Sequence, residues 1–275
     1  MSDWLGYESI QAALSNAQAA VRKEPARAQH RVYLFQLLVL TGQWERALNQ
    51  LNVLADLDAS TLPMVHTYRQ AIQAEGLRQA VFKGERMPLL FGEPAHWIAL
   101  LLEALRLTAQ GHYDEAKRVR SEAFDLATAT SGRVEQPIPS AFTWIADADE
   151  RLGPMLEAIV DGKYYWIPFN CVHRLLIEPP QDLRDLVWMP VHFGWSNGGE
   201  SVGLMPSRYP ASEASDDDRI VRASLTRWVE LADGLYVGEG QRLLVTDTAE
   251  YPLMDLREII FDTKPGLKDT EEIRA

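Results

Sequence analysis

A single cysteine, Cys171, occurs in 275 residues, so no disulfide can form within the chain, and a disulfide-stapled secreted scaffold is excluded. Runs of lysine and arginine are missing too. The 27 basic residues face 39 acidic ones, for a formal net charge of -12. A surface that neutralises nucleic-acid phosphates or anionic headgroups needs a basic face, which argues against both as partners. A basic or amphipathic partner segment suits the charge better. No apolar stretch approaches the roughly 20 residues of a membrane-spanning helix. The opening Met-Ser-Asp-Trp-Leu-Gly-Tyr-Glu has neither the basic nor the apolar region of a signal peptide. The expectation is a cytoplasmic protein without membrane insertion.

Familiar catalytic signatures are absent as well. There is no Gly-x-Ser-x-Gly elbow and no His-Glu-x-x-His. Cys171-Val-His173, even with His192 nearby, lacks the paired spacing of a metal site. Gly238-Glu-Gly240 lacks the third glycine and the following helix of a phosphate cradle. No cofactor, metal or catalytic residue is expected. What the chain does have is 47% hydrophobic content, enough for two modest cores.

The first half reads as helix. Ile10, Ala13, Leu14, Ala17, Ala20 and Val21 recur at spacings of three and four, which predicts a helix from Glu8 to Lys23. Further helices are expected at Ala28–Leu40, Trp44–Leu54, Leu62–Ala80 and Trp97–Leu107, with another ending near Leu126. Gly42-Gln-Trp44-Glu-Arg-Ala47-Leu48 has the layout of a tetratricopeptide hairpin: glycine for the turn, an aromatic to cover it, alanine where helices approach closely. The layout returns at Gly111-His-Tyr113-Asp-Glu-Ala116. A Gly/Pro-rich connector spans 81–97, a polar loop Thr128–Pro139, and a last long helix Ser140–Leu152. Gly153-Pro154 then starts a short helix, Met155–Val160, that ends at Asp161-Gly162.

Beyond Gly162 short strands dominate, at Tyr164–Phe169, His173–Ile177, Val187–Phe193, Ser201–Met205, Thr226–Leu231, Leu243–Val245 and Leu256–Phe261. Asn197-Gly198-Gly199 is a hairpin turn by composition. The expected fold is α+β: tetratricopeptide-like helical hairpins over 1–160, a small antiparallel β-rich, barrel-like domain over 161–262, and a polar tail over 263–275.

Asp147-Ala-Asp149-Glu-Arg151-Leu-Gly153-Pro154, followed by Tyr164-Tyr165-Trp166-Ile-Pro168, resembles the ImpE family, also called TagJ. So do Phe82-x-Gly84 with Pro88, Gly92, Pro94 and Trp97, then Pro180-Gln-Asp182-Leu183-Arg184-Asp185-Leu-Val-Trp188, Arg208-Tyr209-Pro210, Thr226-x-Trp228 and Gly238-Glu-Gly240-Gln241-Arg242. The resemblance covers about Ala80 to Phe261. It implies a non-catalytic cytoplasmic adaptor of the type VI secretion sheath apparatus. The partners it implies are the N-terminal helical segment of the small sheath subunit, of TssB or VipA type, and possibly the ClpV disassembly ATPase.

Two site hypotheses follow. An adaptor needs an apolar partner surface, and Trp188, Trp195, Tyr209 and Trp228 are the aromatics assigned to it. The alternative is an enzyme or small-ligand sensor at the helical/β junction, where Asp147, Asp149, Arg151, Arg184 and Asp185 would converge on a deep pocket.

Overall fold

The computed structural model describes residues 8–263; the rest of the expected polar tail and residues 1–7 lie outside the described residues. Helix α1 (Ile10–Lys23) begins where Ser9 caps it, its hydroxyl accepting from the Ala12 N–H at 3.2 Å. Helices α2 (Ala28–Leu40) and α3 (Trp44–Leu57) form a hairpin about Gly42, whose φ is +65°. Ala47 is buried there, as close helix approach requires. Helix α4 (Leu62–Phe82) starts with Pro63 in its first turn. Helices α5 (His96–Ala109) and α6 (Tyr113–Leu126) repeat the hairpin about Gly111, with Ala116 buried. All six agree with the sequence expectation to within a turn. None is long and apolar enough to cross a membrane.

The change from helix to strand falls after α6, earlier than the sequence suggests. Residues expected to form a polar loop contain β2 (Gly132–Gln136). The helix expected at Ser140–Leu152 is instead β3 (Ser140–Phe142), β4 (Ile145–Asp147) and a turn. The short helix expected at Met155–Val160 is β5, buried at all six positions. Met-Leu-Glu-Ala-Ile-Val is rich in helix formers, but a short apolar run buried on both faces carries no period to separate strand from helix. Asp161 (φ 49°) and Gly162 (φ 71°) are not a helix cap; both positive angles make the tight turn between β5 and β6 (Lys163–Pro168).

The remaining strands are β7 (Val172–Ile177), β8 (Trp188–Trp195), β9 (Glu200–Pro206), β10 (Thr226–Ala232), β11 (Leu235–Gly240), β12 (Leu243–Thr246), β13 (Glu250–Pro252) and β14 (Glu258–Phe261), with the one-turn helix α7 (Asp218–Val221) before β10. Asn197 turns β8 into β9, its side chain accepting from the Gly199 N–H at 2.9 Å. Counting β1 (Leu89–Leu90) in the 81–97 connector, nine strands form one sheet in the order β1-β6-β5-β9-β8-β7-β14-β2-β3. Every pairing in it is antiparallel except β1 with β6. The barrel-like expectation is corrected here: β1 and β3 end the sheet and do not pair, so it stays open. Two smaller sheets, β10-β11 and β13-β12-β4, complete the fold.

Helices and sheet share one continuous core from Ile10 to Phe261. On β8, Trp188 and Trp195 point to opposite faces because their numbers differ by an odd count. Trp188 meets the helices, with its ring 5.8 Å from Trp44 and 5.9 Å from Tyr68. Trp195 stacks against Phe91 at 4.2 Å and Phe193 at 4.8 Å on the other side.

Two glycines give opposite expectations for the same substitution. A Cβ on Gly238 would lie 2.3 Å from the Tyr209 ring, whereas one on Gly76, exposed in α4, meets nothing within 4 Å. Gly238→Ala is expected to lower the unfolding free energy by about 2 kcal/mol through overpacking. Gly76→Ala is expected to raise it by about 0.5–1 kcal/mol, because alanine loses less backbone entropy in a helix. Urea titration of both variants checks the pair.

Candidate functional site

The junction between α4 and the sheet is built from charge, and the charge is enclosed. On α4, Glu75 and Arg78 stand one turn apart among Ala71, Ile72, Ala74 and Val81, on the buried side. Arg78 Nη1 reaches Glu75 at 3.1 Å, while its Nε and Nη2 hold both oxygens of Glu157, on β5, at 2.7 and 3.1 Å. Arg242, just before β12, takes the other side of Glu157 at 3.0 Å and donates from Nε to Asp147, at the end of β4, also at 3.0 Å. Glu75, Arg78, Glu157, Arg242 and Asp147 thus form an alternating chain of five buried charges.

Neutral donors finish the chain. Tyr164 donates to Glu157 and receives the Trp166 indole N–H at 2.7 Å. Trp188 donates to Glu75 at 3.3 Å, and Tyr209 to Asp147 at 3.1 Å. Burial works against ionisation of Glu157, but the guanidiniums of Arg78 and Arg242 outweigh it and hold the carboxyl below its ordinary value. Asp147 has one cation and a neighbouring anion, Asp149; burial pushes its carboxyl up to about 6.

Arg208 crosses the same junction on backbone carbonyl partners. Its guanidinium donates to the Leu40 carbonyl at the end of α2, at 2.8 Å, and to the Val221 carbonyl at the end of α7. A cation there answers the negative end of a helix. Burial nevertheless pulls Arg208 down to about 10.

Of the expected junction cluster, Asp147, Asp149 and Arg151 do come together. Asp149 accepts from the Arg151 Nε at 2.9 Å and from the Gly238 N–H at 2.9 Å. Arg184 and Asp185 lie elsewhere, in the turn before β8. There Arg184 pairs with Asp182 at 2.9 Å and sits 4.8 Å over the Tyr68 ring, while Asp185 accepts the Gln181 N–H at 2.7 Å. The expected deep pocket lined by all five is therefore not formed. Of the four aromatics assigned to a partner surface, Trp188, Trp195 and Tyr209 are buried in the core, and only Trp228 is exposed, at 38%. Large side chains in this sheet are used first to fill two covered faces. Among the described residues no group of three or more His, Cys, Asp or Glu is arranged to hold a metal ion.

An exposed aromatic that the sequence reading placed inside a helix, Trp144, is 39% accessible between β3 and β4. It edges an open hollow of about 400 Å³ whose walls include Phe124 and Ala127 at the end of α6, Ile145, Pro154 and Val245. Glu150 stands at its rim, paired to the buried Arg120 at 3.0 Å.

The comparisons bear on this architecture. A family model described as ImpE protein matches residues 139–260, which includes the sheet-side charges Asp147, Glu157 and Arg242 but not Glu75 or Arg78. The type VI secretion system accessory component TagJ of Pseudomonas aeruginosa is 49% identical over 250 residues, 91% of this chain and 86% of that one. The crystal structure of a Vibrio parahaemolyticus protein superposes with a TM-score of 0.82 at 25% identity, over 92% of this chain and 93% of that chain. Identity at this level over nine-tenths of the sequence leaves one conclusion: the chain belongs to the ImpE family, to which TagJ gives its other name.

Proposed function

We propose that the chain is a non-catalytic cytoplasmic adaptor of the type VI secretion sheath apparatus. It binds the N-terminal helical segment of the small sheath subunit, of TssB or VipA type, and is linked to ClpV, the ATPase that disassembles spent sheaths. The observation that carries this reading is the 49% identity to TagJ across nearly the whole chain. The charge geometry supports it from the other side. A catalytic acid or base must face a substrate, whereas Asp147, Asp149, Arg151 and Glu157 spend their hydrogen bonds on partners within the chain. The alternative of an enzyme or ligand sensor required Asp147, Asp149, Arg151, Arg184 and Asp185 to converge on one pocket; of these, Asp147 lines the hollow beside Trp144 and the other four do not.

Titration calorimetry tests the adaptor. A synthetic peptide of the cognate small sheath subunit's N-terminal helix is expected to bind saturably at micromolar or tighter Kd, about -8 kcal/mol, while a scrambled peptide gives no heat. Absence of binding by the true sequence at high concentration overturns the reading.

A further inference from the structure

The hollow beside Trp144 has features that specify its occupant. Its lining is apolar apart from Thr128, Asp147 and Glu150, and at about 400 Å³ it falls within the roughly 300–1,000 Å³ of ligand-binding clefts. One wall is built at close quarters: Gly153, at φ +51°, lies so near the Phe124 ring that a Cβ there would be 2.4 Å from it. At the rim, Trp144 presents a large apolar side chain to solvent, and so does Leu126 (53% accessible), the last residue of α6, next in sequence to the lining residue Ala127.

The charged residues that line the hollow, Asp147 and Glu150, are both acidic. No lysine or arginine is among the residues lining the hollow. Helix α6 ends there with no basic residue in its last turn, so the partial negative charge of its terminal carbonyls is not offset, and Asp125 in that turn adds to it. Asp247 fixes the loop before Trp144, accepting from the Thr143 N–H at 2.9 Å and from its hydroxyl at 2.7 Å. Glu150 completes the rim with about half of its side chain in solvent, despite its contact with Arg120.

We infer that this hollow is a docking site for an amphipathic peptide segment that inserts a large apolar side chain and sets a lysine or arginine beside it, between Trp144 and the end of α6. That the occupant is a peptide rests on the adaptor reading; that it is apolar and basic rests on the hollow itself. The apolar side chain removes surface from water. The cation meets the helix end, Asp125, Glu150 and the face of an exposed indole, a favourable partner for positive charge.

The test uses the full chain and a 14-residue amphipathic peptide of leucine and lysine, with the leucine/glutamate counterpart as control. Calorimetry is expected to give saturable one-to-one binding of the lysine peptide only. Trp144→Ala and Asp125→Lys, both at exposed positions, are each expected to weaken it at least ten-fold while circular dichroism stays unchanged. Equal binding of both peptides, no binding, or affinity unchanged in both variants overturns the assignment. So does a Trp144-dependent dimer in sedimentation, which would make a second copy the occupant. The sheath peptide separates the two readings. If wild type and Trp144→Ala bind it equally, the hollow is not the site and the adaptor reading stands. If wild type ignores it but keeps Trp144-dependent binding of the lysine peptide, the hollow stands and the adaptor reading falls.

Discussion

Replacing Arg242 with methionine is expected to destabilise the chain by about 3–5 kcal/mol, the cost of leaving a buried charge without its partner. Arg242 is fully buried and is the cation shared by Asp147 and Glu157. Methionine fills much of the volume, so cavity formation contributes little and the loss is electrostatic. Glu157 would still have Arg78. Asp147 would keep only Tyr209 and backbone donors beside a second carboxylate, Asp149. At about 2–4 °C per kcal/mol for a chain of this size, the midpoint falls by about 10 °C in a thermal scan. Adding Asp147→Asn to the methionine variant removes the stranded anion and is expected to restore part of the loss. A fall of less than 1 kcal/mol for the single variant means that the five-charge chain is not what joins α4 to the sheet.

Glu157→Gln is expected to cost a comparable amount, about 3–5 kcal/mol near neutral pH, with a pH signature of its own. Glu157 is held below the ordinary glutamate value of 4.5. A depressed carboxyl contributes stability that is complete above that ordinary value and is lost as pH falls through the lower folded one. The gap between wild type and variant should therefore be widest at pH 7 and close below about 4.5. Asp147 acts with the opposite sign. Raised from 3.8 to about 6, it keeps its proton when folded at pH values where the unfolded chain has released it. Its contribution to stability thus declines as pH rises across that window, and Asp147→Asn should remove this decline. Urea midpoints from about pH 2.5 to 7 for wild type and both variants resolve the two trends.

How much of this was legible differs by element. The six helices follow from apolar spacing and from Gly42 and Gly111, because amphipathic helices announce their period locally. Strand β5 was hidden because its neighbours on both faces, α4 among them, are remote in sequence. Once Met155–Val160 is taken for a helix, Glu157 becomes a surface charge instead of the centre of an ionic chain. The carboxylates Asp147 and Asp149 stood out, and Arg242 lay in a recognised motif. Glu75 and Arg78 were missed, although two charges three residues apart on the apolar side of α4 were a readable sign. The aromatics misled for a related reason: alternation puts Trp188 and Trp195 on opposite faces, but only the fold reveals that both faces are covered. Trp144 went unnoticed because the loop it occupies between β3 and β4 had been assigned to a helix.

The strand order sets a timetable for synthesis. β14, the last strand, pairs with β7 on one side and β2 on the other. Until Phe261 has left the ribosome, β2 and β3 have no neighbour to tie them to the remainder of the sheet, although more than 100 residues separate β2 from β14. The helical hairpins make local contacts and can form while translation continues, whereas these distant pairings must wait for β14. A nascent chain would therefore carry a finished helical half, an exposed edge on β7 and an unanchored β2-β3 pair until β14 emerges, an interval in which a chaperone has something specific to hold.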